Sequence, residues 1–274
     1  MEIFSVSKHT KPNNLSIMID LHMHTVLSDG KDNHESHIKM ALQKGIEIMG
    51  FTDHICLKPV NWAIRQEDLA VMAEKIQDLK DQNWGPLEIR FGVEMDYFPH
   101  KEKEIAQIIS QLPLDYVIGS IHFIDDWNYD TDKSLYGKWT NDELYEMYFD
   151  IVQQAAKSGL FDIIGHMDLI KKFRIWPEHS VDHLYERTVK TIAENNLVVE
   201  LNTSGVDRPC GEFFPNEQII GLLRKYEVPM TLGSDAHNQN QVGRHFHEAI
   251  ELLKSYGYNE LYAFKKRKKE RYRI

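Results

Sequence analysis

Short apolar runs alternate along the chain with longer segments whose apolar residues recur at helical spacing. A short apolar run bounded by polar residues or glycine is typical of a buried parallel strand, and spacing of three and four residues is typical of an amphipathic helix. The pattern predicts strands at 17–21, 46–51, 87–93, 116–121, 163–165, 197–201 and 228–232. It predicts helices at 33–44, 66–83, 101–111, 141–158, 181–196, 217–226 and 243–256.

These seven strand-then-helix units follow one another without a linker or a change of composition. A closed parallel α/β barrel, similar to a TIM barrel and formed by a single domain, is the simplest architecture that accommodates them. We expect the domain to span residues 18–274, preceded by a polar N-terminal extension at 1–17. The basic tail at 265–274 is predicted to be a solvated surface segment.

The net charge, the cysteine count and the lengths of the apolar runs exclude several classes of protein. The formal charge of -10 argues against non-specific nucleic-acid binding by the whole surface. The two cysteines, Cys56 and Cys210, cannot form a disulfide framework. Neither a membrane span nor the apolar core of a signal peptide is recognisable, so we expect a cytoplasmic protein without a membrane partner. The oligomeric state cannot be read from these features.

His22 and His24 follow the first predicted strand. Residues two apart in a strand point to the same face, so these imidazoles should project together as a chelating pair. In parallel barrels the chemistry lies at the carboxyl ends of the strands, where other polar residues of this chain also fall. Most of the remaining histidines, including His34 and His37, are interpreted as surface residues. The set at predicted strand ends comprises His22, His24, His54, Glu94, His122, His166, Asp235 and His237.

The motifs at these strand ends resemble those of the PHP superfamily (polymerase and histidinol phosphatase). They read H-x-H, T-D-H, G-x-E, S-x-H, G-H-x-D and S-D-A-H in chain order. The resemblance covers nearly all of the chain from Met18 and implies a distorted (β/α)7 barrel that holds up to three divalent metal ions. Within the superfamily, the chain most resembles the histidinol-phosphate phosphatases of histidine biosynthesis, which act on a small phosphomonoester.

The resemblance also implies a set of metal ligands. The first ion would be held by His22, His24, Glu94 and Asp235. The second would be held by Glu94, His122 and His166, with Glu94 bridging, and the third by Asp29, His54 and His237. Many family members have a histidine where Asp29 stands. Mixed histidine and carboxylate sites suit zinc, manganese or iron, and the sequence does not distinguish among these metals. Other acidic residues nearby could instead orient ligand histidines, namely Asp20, Asp53 and Asp168.

A metal cluster of this kind supplies hydroxide for in-line attack on phosphorus. The leaving alkoxide needs a proton, which could come from a metal-bound water, from His237 or from Asp235. Arg174 and Arg208 follow the fifth and sixth strands and are candidates for gripping the phosphate, and Lys58 is a weaker one. The substrate amine could be received by an acidic loop residue, with the candidates Asp96, Asp125, Asp126 and Glu212.

Two other classes of function remain open from the sequence. One is a different metal hydrolase on the same scaffold, such as a nuclease, a nucleotide phosphodiesterase or a protein tyrosine phosphatase. A nuclease is expected to carry a basic track beside the mouth of the barrel, which the acidic total disfavours. The other class is a binding barrel without activity, which would require the loss of ligand positions. Amidohydrolase barrels share the H-x-H opening, but the pair of Glu94 and His122 fits them less well.

Overall fold

A computed structural model describes residues 17–274, which form a barrel of parallel strands surrounded by helices. The barrel strands are β1 (Ile19–Asp20), β2 (Ile48–Phe51), β4 (Glu88–Asp96), β5 (Tyr116–Ser120), β8 (Ile163–Ile164), β9 (Val198–Asn202) and β10 (Met230–Gly233). The short strand β3 (His54–Ile55) pairs with the end of β4, and β6 (Phe123–Ile124) pairs with β7 (Trp127–Asn128). The helices are α1 (His34–Gln43), α2 (Leu69–Asp81), α3 (Glu102–Ser110), α4 (Asn141–Lys157), α5 (Asp182–Glu194), α6 (Glu217–Lys225) and α7 (Phe246–Ser255).

The barrel closes where its first and last strands meet. Parallel pairing runs in the order β1-β2-β4-β5-β8-β9-β10. Beyond that order, the backbone N–H of Leu21 donates to the carbonyl of Leu232 at 3.0 Å, and Met23 forms a parallel bridge with Ala236. The predicted single-domain α/β barrel of seven strands is therefore confirmed. Closure brings the carboxyl ends of all seven strands to one mouth.

A tyrosine fills the interior of the barrel. Tyr116 is fully buried, and its hydroxyl donates to the carbonyl of Leu21 at 2.7 Å. A Cβ at Gly50 would lie 1.7 Å from that hydroxyl oxygen, and a Cβ at Gly92 would lie 2.4 Å from the ring. Two glycines inside strands thus leave the space that the ring occupies, since any larger residue would meet it.

Several element boundaries differ from the prediction. The helix predicted from residue 66 begins as a 3-10 turn at Gln66–Asp68, and α2 follows it. Strand β4 continues past the predicted end at 93, because Glu94 and Asp96 still pair with β5. Helix α4 begins where the pattern predicts, after the N-cap Thr140, which forms a reciprocal capping box with Glu143.

Two histidines interpreted as surface residues lie inside the protein. His34 and His37 occupy the inner face of α1 and are 3% and 0% exposed. Their rings pack edge-on against Phe51 of β2, with ring centres 4.6 and 6.4 Å away. The sequence did not reveal this because a polar residue on the buried face of an otherwise amphipathic helix breaks the apolar pattern.

The C-terminal tail lies at the surface, as predicted, with residues 265–274 exposed or half-buried, but it forms part of a β-hairpin. Strands β11 (Glu260–Lys265) and β12 (Lys268–Arg273) pair in antiparallel fashion. Phe264 is 1% exposed, and the backbone N–H groups of Lys266 and Arg267 donate to Asp115. Leu261, Ala263 and Phe264 of β11 are buried and anchor the hairpin, while Lys265, Lys266 and Lys268 are exposed.

The predicted N-terminal extension lies outside the described residues except for Ile17, whose N–H donates to the carbonyl of Arg273. Among residues 17–274, no helix has the length and apolarity needed to cross a bilayer.

Candidate metal centre

The H-x-H pair lies at the mouth of the barrel, directly after β1. His22 and His24 are both fully buried, and their ring centres are 5.1 Å apart. The Nε2 atom of His22 is 3.1 Å from Oε2 of Glu94, and that of His24 is 3.2 Å from Oδ1 of Asp235. The two rings therefore project together, as the spacing predicts, toward carboxylates from opposite sides of the barrel.

Glu94, near the end of β4, is the centre of the cluster. Its carboxylate is 1% exposed, and a ring nitrogen of each of five histidines lies 2.9–3.7 Å from one of its oxygens. Oε1 faces two of these histidines and Oε2 faces the other three. The five are His22, His24, His54, His122 and His166. A carboxylate whose two oxygens face different histidine sets is placed to bridge two cations.

The nine residues predicted as metal ligands all come together at the mouth. In each of four groups, the ligand atoms lie within 4.8 Å of one another. The groups share members, and they do not coincide with the three predicted ligand sets. Glu94, for example, lies in a group with His54, which was predicted to hold a different ion. They are His22, His24 and Asp235; His22, Glu94 and His166; His54, Glu94 and His122; and His24, Asp29, His54 and His237.

These residues fit divalent cations. Several of their buried nitrogen and oxygen atoms have no hydrogen-bond partner among residues 17–274. A buried polar atom without a partner is costly, and a metal ion would satisfy it. Neutral imidazole and carboxylate in a mixed set suit zinc and other first-row metals. The atoms are Nε2 of His22, both ring nitrogens of His24, Nδ1 of His54, Oε2 of Glu94 and Nδ1 of His166.

Burial and these contacts shift the pKa values of His24 and Glu94. Burial lowers the pKa of His24 to about 4, together with the nearby rings of His54 and His237. Burial by itself would raise the pKa of Glu94, but His54 and His22 hold it well below the usual value. A neutral imidazole and an ionised carboxylate are the forms that bind a metal.

Asp235 is held in an unusual backbone conformation. Its φ is 51°, in the left-handed region that a non-glycine residue seldom adopts. Arg244 donates from Nη2 to the carbonyl of Asp235 at 3.0 Å and from Nε to that of Ser234 at 2.9 Å. The Ser204 hydroxyl donates to Oδ2 of Asp235, which leaves Oδ1 facing His24. A side chain later in the same loop and one from the loop after β9 thus orient this ligand.

A glutamate that sequence reasoning missed lies directly behind the cluster. Glu200, in β9, is 1% exposed and places Oε1 2.6 Å from Nδ1 of His22. Its Oε2 accepts from the backbone N–H of His166 at 2.9 Å. A Cβ at Gly233 would lie 1.8 Å from Oε1, so glycine there makes room for the carboxylate. A carboxylate on the second nitrogen of a ligand histidine fixes its tautomer and orientation. The available signal was an acid within the apolar run Leu197–Leu201.

Asp96 plays the corresponding part for His122. It is buried, and Oδ1 lies 2.8 Å from Nδ1 of that histidine. Burial would lower the pKa of His122, but Asp96 raises it to about 10. Asp96 is therefore turned toward the cluster and is not available to a substrate amine, contrary to one candidate role drawn from the sequence.

The other acids considered as supports have different partners. Asp20 accepts from the backbone N–H groups of Ser234 and Gly243, which ties β1 to the last loop. Asp53 accepts from Thr25 and Ser28, just before Asp29. Asp168 pairs with buried Lys171 at 2.8 Å. Each fixes the backbone of a loop at the mouth.

A cavity opens beside the cluster, and it receives only one of the three predicted phosphate-binding residues. Arg208, in the loop after β9, lines it. Arg174 is exposed and donates from Nε to the carbonyl of Pro209, because a left-handed backbone at φ 63° ends the preceding 3-10 turn. Lys58 donates to Asp125 and Asp126 outside the cavity. The lining residues outside the ligand set are Trp62, Asn128, Asp130, Thr131, Leu169, Lys172, Ser204 and Arg208.

Comparison with known proteins agrees with the site. The model of the PHP domain matches residues 20–204, which is more than half of the chain, and a PHP-associated model matches residues 214–251. A Deinococcus radiodurans protein named "Probable histidinol-phosphatase" is 32% identical over 246 residues, covering 88% of this chain and 94% of the relative. The histidinol-phosphatase of Bacillus subtilis is 28% identical over 262 residues, covering 85% and 98%.

Solved structures show the same fold. The histidinol phosphate phosphatase of Lactococcus lactis, crystallised with zinc, L-histidinol and phosphate, superposes with a TM-score of 0.76 at 23% identity. That superposition covers 92% of this chain and 98% of the other. The PHP range 20–204 contains seven of the nine cluster residues, and the PHP-associated range 214–251 contains the other two, Asp235 and His237. The chain belongs to the PHP domain family.

Proposed function

We propose that this protein is a metal-dependent phosphomonoesterase that hydrolyses L-histidinol phosphate to L-histidinol and phosphate. The observation that carries the proposal is the cluster around Glu94, which opens into a cavity that also holds Arg208 and Lys172. A phosphomonoester dianion needs cations on several oxygens at once, and this cavity offers them from two sides. The curated relatives with the same activity span nearly the whole chain.

The residues of the chain would share the work as follows. The nine ligands hold two to three divalent ions, for which zinc, manganese and iron all suit the donor set. Bound metal supplies hydroxide near neutral pH and neutralises charge on the phosphoryl oxygens. Arg208 grips a phosphate oxygen from the far side of the cavity. The leaving alkoxide would take its proton from a water held beside His237 and Asp235, both of which line the cavity. Participation in histidine biosynthesis and a cytoplasmic location follow from this activity and stay predictions.

A panel of phosphomonoesters tests the function. Enzyme reconstituted separately with zinc, manganese and iron should hydrolyse L-histidinol phosphate with a kcat/KM well above that for generic alkyl and aryl phosphates. A dinucleotide and a phosphotyrosine peptide serve as the competing substrate classes. Should either of these be preferred by a wide margin, the metal site would stand but the proposed substrate would not.

Arg208→Ala should lower kcat/KM by about 10²-fold on both histidinol phosphate and an aryl phosphate, the scale of one preorganised electrostatic contact. The loss should be equal because the phosphoryl group is common to both substrates. Arg208→Lys should recover part of the activity, since ammonium keeps the charge but not the planar fork. Metal content should not change.

Arg174→Ala provides the comparison, because this arginine was the other predicted phosphate contact. Its Nε braces Pro209 next to Arg208, so we expect a smaller loss that acts through the loop. Arg187→Ala, on the outer face of α5, is the matched control and should behave as wild type. Equal losses in the Arg174 and Arg208 variants would contradict the assignment to Arg208 alone.

A further inference from the structure

Asp130 is the acidic residue of the cavity lining that belongs to none of the four ligand groups of the described chain. It lies just after β7, and its side chain is 17% exposed. Oδ1 accepts from Nζ of Lys172 at 2.5 Å. Its second oxygen, Oδ2, accepts no hydrogen bond within residues 17–274. This oxygen is therefore available to accept a hydrogen bond from a ligand in the cavity.

The surroundings keep Asp130 ionised. Burial by itself would raise its pKa, but Lys172 and His122 hold the pKa below the usual value. His122 and His166, which also contribute to this lowering, are proposed metal ligands that line the same cavity. Asp130 thus adds a negative charge to the lining of the cavity, where it would repel a phosphate and attract a cation.

The order of the strands determines where charged side chains lie around the mouth of the barrel. Asp130 lies in the connection from β5 to β8, Lys172 in that from β8 to β9, and Arg208 in that from β9 to β10. These strands are neighbours in the barrel, so the three side chains follow one another around the rim. An anion is favoured toward Arg208 and the metal ligands, and a cation is favoured at the Asp130 end.

We propose that Asp130 binds a protonated amine of the substrate and so selects phosphomonoesters of amino alcohols over phosphomonoesters without a positive charge. Oδ2 is the accepting atom, while Oδ1 keeps Lys172 in place. The inference rests on the proposed function for its substrate, and it adds the residue that distinguishes this substrate from other small phosphate esters. None of the four acids considered from the sequence alone has this position.

Asp130→Asn tests the proposal, because the amide keeps the shape and one oxygen but removes the charge. The substrates are L-histidinol phosphate and its deamino counterpart, imidazolylpropyl phosphate. We expect kcat/KM for histidinol phosphate to fall roughly 10–100-fold, the scale of a hydrogen bond between charged groups. For the deamino substrate, kcat/KM should change by no more than about twofold, which is the effect expected of a substitution that removes no contact. Calorimetry should show the same loss for binding of L-histidinol.

Asp126→Asn is the matched control. It makes the same substitution four residues earlier, on an exposed aspartate that pairs with Lys58 at 2.9 Å outside the cavity. This variant should have the wild-type kcat/KM for both substrates. Melting temperature and metal content, measured for both variants, identify any general damage from an unpaired Lys172.

Two outcomes would overturn the proposal. An equal loss on both substrates in Asp130→Asn would make Asp130 only a partner of Lys172, and no loss on either would place the amine elsewhere. If wild type fails on histidinol phosphate, the proposed function falls. The same variants then decide the role of Asp130 with 2-aminoethyl phosphate and ethyl phosphate, because the inference requires only an amine near the ester.

Discussion

Glu94→Gln should lower kcat/KM by about 10³-fold or more, beyond the 10²–10³-fold typical of one preorganised contact, while the barrel stays folded. Oε1 of Glu94 faces His122 and His166, and Oε2 faces three other histidines. An amide has only one oxygen and carries no charge. Its NH₂ group would point a donor at imidazole nitrogens that must bind metal. The number of bound ions should fall together with activity.

The fold should survive because the backbone of residue 94 keeps its place in β4, paired with Ile118 of β5. Circular dichroism and the melting temperature check this point, and elemental analysis reports the metal content. Glu88→Gln is the matched control, since Glu88 opens the same strand but is 56% exposed and pairs with Arg90. Near wild-type turnover of Glu94→Gln at saturating metal would contradict a bridging role.

Removal of metal should abolish hydrolysis and lower the melting temperature. Ions bound only by the folded chain stabilise it by roughly 4 kcal/mol at a concentration of 1,000 times Kd. With a shift of about 2–4 °C per kcal/mol for a chain of this size, we expect a fall of about 10 °C. The physical cause is the set of converging nitrogens and carboxylates, several of which have no hydrogen-bond partner among residues 17–274.

Zinc, manganese or iron should each restore activity to some extent, and elemental analysis should find two to three ions per chain. Calcium is the control for ionic strength and charge, because it prefers cages of oxygen ligands over imidazole. After purification with metals supplied and no chelator, a content below one ion per chain would count against the cluster. Unchanged activity after exhaustive chelation would refute metal dependence altogether.

The barrel could be predicted from the sequence because its signal is local. Apolar runs of strand length, each followed by a helical repeat, specify parallel units that need only be counted. The errors fell where that signal is mixed. Basic residues dominate β12, so the second strand of the hairpin has almost no apolar pattern. His34 and His37 interrupt the apolar face of α1 in the same way.

The sequence by itself determined which residues converge at the mouth. A ligand at the end of a parallel strand must lie at the rim of a closed barrel, whatever the loops do. The spacing of His22 and His24 likewise sets their common direction, since alternate residues of a strand share a face. The eight residues chosen on this basis all belong to the four groups of neighbouring ligand atoms, whereas Asp29, the ninth, was implied only by the family resemblance.

The tertiary structure alone decided which of these groups face one another and which residues lie behind them. Glu200 reaches His22 across the barrel from a residue 178 positions away, and no local pattern encodes that contact. The contacts made by the loops also depend on the tertiary structure. A left-handed turn directs Arg174 to the carbonyl of Pro209. Lys172 lies in the cavity and pairs with Asp130. Strand periodicity is a property of neighbours in the chain, whereas these pairings depend on barrel closure and loop conformation, which join residues that are distant in sequence.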